Sequence, residues 1–363
     1  MSGLQAAGFA LFPCAAYTEP CDNVAPMSKT VVGRRALLAT GGAAVVSPLS
    51  FAMAQTPAKS KVPTANERRR ELYALLGDLP DRQRPIKGTR RGEAERDGYV
   101  LETWELDLNG IEPVPAYLAR PKGASGRRPA VLFNHSHGGG YKIGKRECVD
   151  GRSYLQPEPY AKTLTDLGYV ALSIDHWVFG ERSHTSEADM FKAMLWQGQV
   201  LWGMMVYDSL RAVDFLVQRP DVDAARLSTL GISMGSTMAW WLAALDPRIK
   251  VTVDICCLTD FHTFLSKKLL SAHGLYYYVP GLLKRFTTAH INALIAPRAH
   301  LGLAGLQDKL TPVEGLDIID RELTRVYADL GHPERWKLLR YDVGHQETAE
   351  GRQEIVKFLR QFL

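Results

Sequence analysis

Ser233 stands in Gly231-Ile232-Ser233-Met234-Gly235, a G-x-S-x-G spacing. Residues 227–232 before it are apolar with the texture of a buried strand, and residues 236–245 after it read as an apolar helix. A serine between two such elements must occupy a sharp, strained turn, with its hydroxyl pushed out into the open. The flanking glycines leave room for that tight approach. The helix that follows turns its N-terminal N–H groups toward the same point and favours developing negative charge there. The pentapeptide alone occurs by chance in many chains, where the serine is no more than a helix cap. Its placement between strand and helix is what argues for a nucleophile.

A serine hydroxyl at neutral pH needs a base within hydrogen-bond reach, and that base needs an orienting acid. A strand-turn-helix nucleophile of this type is followed in the chain by Asp or Glu and then by His. Asp308 follows a predicted strand at 301–305, and His345 follows one at 338–341. Taken singly, Asp308 reads equally well as a loop carboxylate and His345 as a surface histidine. In the right order, each just past a strand end, they read as acid and base beside Ser233. Asp342 and Asp317 compete for the acid position; Asp342 is too near His345 in sequence, and Asp317 falls in a helical pattern.

Acyl transfer builds negative charge on the carbonyl oxygen, which pre-aimed N–H donors must hold. One donor is expected from the backbone of Met234. The other is expected from the loop Phe133-Asn134-His135-Ser136-His137-Gly138-Gly139-Gly140, with His137 the first choice and Gly138 the second. That loop lacks the phosphate-binding glycine patterns. His135 and His137 have the spacing of metal ligands, but no third ligand suggests itself, and no metal is expected. Trp177, Tyr276 and Tyr277 are candidate walls of a substrate pocket. Trp240 and Trp241, on the helix after Ser233, read as core. Glu181 and Arg182 read either as contacts to a polar substrate or as a structural ion pair.

These positions require a scaffold that ends many strands on one side. Predicted strands fall at 99–106, 114–119, 130–133, 169–174, 226–232, 249–255, 299–305 and 336–341, and helices near 157–167, 203–218, 234–245, 313–330 and 348–362. Continuous apolar strands alternating with helices imply an α/β fold: a mostly parallel sheet covered on both faces. The first two strands, joined at Asn109-Gly110, read as an antiparallel hairpin at a sheet edge. Residues 258–296 are too long for a simple connection before the penultimate strand and read as a small helical insertion over the site. Residues 66–76 read as a charged helix capped by Asn66, and 78–97 as polar loop.

The N-terminus reads as an address. Arg34-Arg35 precede small and apolar residues that end in Ala52-Met53-Ala54, a cleavage pattern before Gln55. Paired arginines ahead of a weakly apolar stretch match a twin-arginine export signal, which implies a periplasmic or secreted enzyme. Met27 is then the natural start. The organisation that follows is an export signal over 1–54, a linker and N-terminal helix over 55–97, and a catalytic domain over 98–363. The stretch is too short for a convincing membrane span, and none is expected in the mature chain.

The chain has 363 residues, 46% of them hydrophobic, ample for a large core. Its net charge of +5 comes largely from local clusters such as Arg68-Arg69-Arg70 and Arg90-Arg91. No basic stripe interleaved with aromatics accompanies them, so nucleic acid is not an expected partner. Cys148, Cys256 and Cys257, downstream of the expected cleavage, have no zinc spacing and read as small buried side chains.

Several segments together resemble the dienelactone hydrolase and acetyl-xylan-esterase-like branch of the α/β-hydrolase superfamily. They are His135-Ser136-His137-Gly138-Gly139, Asp175-His176-Trp177-Val178-Phe179-Gly180-Glu181-Arg182, Arg219-Pro220-Asp221-Val222-Asp223, the Ser233 pentapeptide, Ala244-Leu245-Asp246-Pro247-Arg248-Ile249, Tyr278-Val279-Pro280-Gly281-Leu282-Leu283 and Leu294-Ile295-Ala296-Pro297-Arg298. The resemblance covers about residues 98–363. It implies Ser233, Asp308 and His345 as nucleophile, acid and base, His137 as an oxyanion donor, no metal and no organic cofactor. Ser136 stands where the branch more often has glycine, and Ser236 replaces another. The implied activity is cleavage of small-molecule or carbohydrate esters with a small acyl group. The rivals are a serine peptidase of the prolyl-oligopeptidase type, for which the N-terminal segment is too short to supply a gating domain, and a binding protein that has lost activity.

Overall fold

The computed structural model describes residues 63–123 and 125–363. The expected export signal, its cleavage point and most of the linker lie outside the described residues. The first helix, α1 (Ala65–Ala74), is capped by Thr64 in a reciprocal capping box with Glu67, not by Asn66. Threonine followed three residues later by glutamate satisfies two orphan N–H groups at once. Leu72 and Leu76 from this segment are fully buried in the main core. Arg69 donates to the carbonyls of Ala244 at 3.0 Å and Leu294 at 2.8 Å, so the segment is tied to the sheet's covering helices.

Among the described residues nine strands form one sheet: β1 (Lys87–Glu95), β2 (Tyr99–Asp107), β3 (Val114–Pro121), β4 (Arg128–Asn134), β5 (Val170–Ile174), β6 (Val222–Ile232), β7 (Ile249–Ile255), β8 (Ala299–Gly305) and β9 (Trp336–Tyr341). Their order is β1-β2-β3-β5-β4-β6-β7-β8-β9. The first three pair antiparallel, as does β3 with β5, and every pairing from β5 to β9 is parallel. Two expectations are corrected here. Residues 87–95 are a strand rather than loop, and the β2–β3 hairpin is therefore one strand in from the edge. Every residue of β1 is exposed. A charged edge strand of that kind carries no apolar alternation to announce it and discourages pairing with other chains.

The other helices are α2 (Glu147–Asp150), α3 (Tyr160–Asp166), α4 (Glu187–Trp196), α5 (Leu201–Gln218), α6 (Met234–Leu245), α7 (Phe261–Ser266), α8 (Thr288–Ala293), α9 (Val313–Asp329) and α10 (Ala349–Phe362). Two apolar layers hold the sheet. One includes residues of α1, α5, α6, α8 and α9, and the other residues of α3 and α10. Trp240 and Trp241 are buried in the first layer, as expected of core residues. The insertion 258–296 contains α7, α8 and short 3-10 turns. Chain direction along the sheet reverses at β4, whose neighbours β5 and β6 lie on opposite sides. In such sheets the crevice beyond the carboxyl ends of the strands at the reversal is where ligands bind.

Candidate active site

Ser233 follows β6 and precedes α6, with φ 59° and ψ −121°. This is a backbone conformation that a non-glycine residue adopts only when its surroundings impose it. The surroundings are visible. Ser233 N–H donates to the Ile255 carbonyl at the end of β7 (2.9 Å), and its carbonyl accepts from Thr237 N–H (3.2 Å). A Cβ on Gly235 would lie 1.9 Å from the Asn134 carbonyl oxygen, and one on Gly231 would lie 2.4 Å from Gly235. The two glycines of the pentapeptide let β4, β6 and α6 converge at one point. Met234 is the first residue of α6, so its N–H has no acceptor within the helix.

Asp308 and His345 lie beyond the ends of β8 and β9, on loops joined by backbone bonds from Leu306 to Tyr341 (2.8 Å) and from Gln307 to Val343 (2.9 Å). His345 Nδ1 is 2.7 Å from Asp308 Oδ2, and Asp308 Oδ1 accepts the Leu310 N–H at 2.9 Å. Both carboxylate oxygens are engaged, and the Asp308 side chain is buried. With Nδ1 donating to the carboxylate, Nε2 of His345 is the basic nitrogen, and it makes no hydrogen bond among the described residues. Asp342 is exposed and accepts from Gln307; Asp317 is ion-paired with Arg340. Neither is hydrogen-bonded to His345.

The loop after β4 is braced from below. Buried Glu147 accepts the Ser136 N–H at 2.9 Å and the Ser136 hydroxyl. Arg152 bridges Glu147 and the Gly138 carbonyl, the latter at 3.0 Å. A Cβ on Gly138 would collide with the Tyr154 hydroxyl. His137 has its ring between Tyr141 and Tyr276, at centroid distances of 4.7 and 5.7 Å. Burial holds its pKa below the ordinary imidazole value. Glu147, Arg152 and Tyr154 escaped the sequence reading because no spacing links a short helix to a loop ten residues upstream.

The remaining predicted residues separate. Tyr276 packs on His137 and Trp202. The Tyr277 hydroxyl meets Thr237 Oγ1 and Cys257 Sγ, the latter at 3.1 Å. Trp177 is buried beneath the Arg182 guanidinium, 4.2 Å from its ring centroid, and is part of the core. Arg182 is itself buried, bonded to Glu112, the Asp175 carbonyl and Asp208. Of the two readings of Arg182, the structural ion pair is the one observed.

His135 cannot act as a free ligand. Its Nδ1 lies 2.9 Å from the Ser136 carbonyl, and its Nε2 accepts from His176 N–H. Burial pushes its pKa down to about 4. Cys256, Asp308 and His345 do place three donor atoms within 4.8 Å of one another. Burial, with the nearby Asp308 charge, pushes the Cys256 thiol well above its ordinary pKa and keeps it protonated. His345 Nδ1 is committed to the carboxylate. The donor set suits a hydrogen-bonded acid–base pair better than a cation.

The profile of the family described as Acetyl xylan esterase (AXE1) matches residues 93–295. The Bacillus subtilis (strain 168) protein "Putative hydrolase YtaP" is 51% identical over 297 residues, which is 82% of this chain and 99% of that one. Among solved structures, an acetyl xylan esterase from Paenibacillus sp. R4 superposes with a TM-score of 0.56 at 18% identity, covering 85% of this chain and 97% of that one. A glucuronoyl esterase from Solibacter usitatus gives 0.57 at 16%, covering 81% and 91%. These structural likenesses establish a shared α/β-hydrolase fold.

Proposed function

The chain belongs to the acetyl xylan esterase family, whose members are carboxylic ester hydrolases of α/β-hydrolase fold, and on that footing we propose that Ser233, His345 and Asp308 are its nucleophile, base and orienting acid. The observation that carries the assignment is Ser233 held at φ 59° on the turn between β6 and α6, with the hydrogen-bonded His345–Asp308 pair on the loops after β8 and β9.

Ser233 Oγ attacks the ester carbonyl while His345 Nε2 takes its proton. The carbonyl oxygen becomes an oxyanion held by the backbone N–H groups of Met234 and His137, with Gly138 the alternative donor. As the carbonyl re-forms, the C–O bond to the alcohol breaks and His345 returns the proton to the leaving oxygen. Asp308 holds the imidazole in the tautomer that leaves Nε2 basic and stabilises the imidazolium. Water, deprotonated by His345, then attacks the acyl-enzyme and releases the acid. Membership of the acetyl xylan esterase family supports a short acyl group, acetyl first, on a small-molecule or carbohydrate alcohol.

A fluorophosphonate probe and p-nitrophenyl acetate test this reading on the chain from Gln55. The expected result is labelling and turnover by the wild type and neither by Ser233→Ala. A folded wild type that takes no label sinks the assignment.

We also read residues 1–54 as a twin-arginine export signal cleaved before Gln55, which places the enzyme in the periplasm or outside the cell. N-terminal sequencing of the exported protein is expected to begin at Gln55, and retention of Arg34-Arg35 in the mature protein would refute it.

A further inference from the structure

The insertion between β7 and β8 encloses a cavity of about 430 Å³. That is within the range of small-molecule sites. Phe261, Phe264, Leu270 and Val279 form much of its apolar wall, together with His273 and Tyr277.

Those last two side chains tie the cavity to the reacting centre. The Tyr277 hydroxyl bonds to Thr237, whose N–H donates to the Ser233 carbonyl. It also meets Cys257, the neighbour of Cys256 in the cluster with Asp308 and His345. His273 packs on Phe264 at 4.2 Å and on Tyr277 at 5.4 Å, and its Nε2 is buried. Burial lowers its pKa, so the ring is held neutral.

The His137 side of the site is different. Buried Tyr276 packs against His137 at 5.7 Å and Phe179 at 6.0 Å, and stacks on Trp202 at 6.0 Å. That wall is filled with aromatic rings. The two sides correspond to the two halves of an ester. The leaving oxygen must meet His345 Nε2 to collect its proton, so the group it carries points to the His345 side. We propose that the cavity walled by His273 and Tyr277 binds the alcohol half of the substrate, that among alcohols it favours apolar ones of aryl or branched-alkyl type, and that the acyl half is short. The His273 ring supplies one polar contact at its edge. This rests on the esterase reading above.

The test compares kcat/KM for ethyl acetate, benzyl acetate and ethyl hexanoate, whose alcohols differ little in leaving ability. Val279→Trp fills the cavity, and Leu270→Glu sets a charge at its partly exposed rim with little risk to folding. Each is expected to lower kcat/KM for benzyl acetate by about tenfold or more, while ethyl acetate stays within about twofold and so reports an intact site. An equal fall for both acetates, or a fall confined to ethyl hexanoate, overturns the proposal. A wild type that turns over none of the three removes the esterase reading itself, a result separate from any change in preference among them.

Discussion

The carboxylate of Glu147 accepts the Ser136 backbone N–H at 2.9 Å, fixing from beneath the loop that leads into His137. Glu147 is fully buried, and burial pushes its pKa up to about 6 against the opposing hydrogen bonds from Ser136 and the charge of Arg152. From about pH 4.5 to 6 the folded chain keeps a proton on Glu147 that the unfolded chain has released. Stability therefore falls as pH rises through that window. The loss is on the order of 2 kcal/mol, complete above about pH 6. Glu147→Gln abolishes this titration. Urea unfolding of both proteins across the window should show the variant gaining on the wild type as pH rises. A pH-independent difference would mean that Glu147 does not change its protonation there. The same variant is expected to lower kcat by about tenfold to a hundredfold with little change in KM, because a loosened loop misplaces the proposed His137 donor, which is needed mainly in the transition state.

Asp308 spends one oxygen on Leu310 N–H and the other on His345 Nδ1. Replacing it with Asn keeps the shape but favours the tautomer with the proton on Nε2, which cannot accept from Ser233. We expect Asp308→Asn to lower kcat by about 10⁴-fold, as tautomer reversal does in serine triads. Asp342→Asn, at an exposed side chain bonded to Gln307, should stay within about twofold of wild type. Comparable losses in the two variants, measured by p-nitrophenyl acetate turnover at pH 8, would dissolve the assignment of the acid.

The legible parts of this chain were those whose physics is written in short stretches. β4 to β8 end in buried, largely apolar runs because both sheet faces are covered there, and the edge strand β9 keeps a shorter one at Leu338-Leu339. Ser233, Asp308 and His345 stand out in the sequence because each follows such a run. β1 was invisible because all nine of its residues face solvent. α4 escaped because its buried side chains are Met190 and Met194 alone, although Ser186 caps it. Glu147 beneath Ser136 joins polar residues across a loop, which no periodicity encodes. The cavity is built from short turns of the insertion, where side chains converge without a repeating spacing. Sequence pattern therefore reaches the residues at strand ends, and stops at those that brace or surround them.

Arg182 separates a structural from a substrate-binding role by experiment. It is buried, with Asp208 also buried on one side and Glu112 on the other. Burial raises the Asp208 pKa, and the Arg182 charge opposes that rise most strongly. Arg182→Met leaves the carboxylate without its counter-charge and should destabilise the fold by about 3–5 kcal/mol. At temperatures where the variant remains folded, its KM for a short ester should match wild type. A large rise in KM with unchanged stability would instead place Arg182 in contact with substrate.

As the proposed nucleophile, Ser233 sets function against stability in a way that two substitutions can divide. Its φ of 59° with ψ of −121° costs a non-glycine residue about 1–3 kcal/mol. Ser233→Ala removes the hydroxyl and keeps the Cβ, hence the strain. Ser233→Gly removes both, at the expense of about 0.5–1 kcal/mol of added freedom in the unfolded chain. Both variants should be inactive toward esters and toward the fluorophosphonate probe. Only the glycine variant should gain stability, by about 1 kcal/mol in urea unfolding at pH 7. An equal gain in the alanine variant would trace the cost to the hydroxyl rather than to the backbone. The chain would then be holding a poorly solvated hydroxyl in place of a strained turn, and the convergence of β4, β6 and α6 on Gly231 and Gly235 would need no strain to explain it.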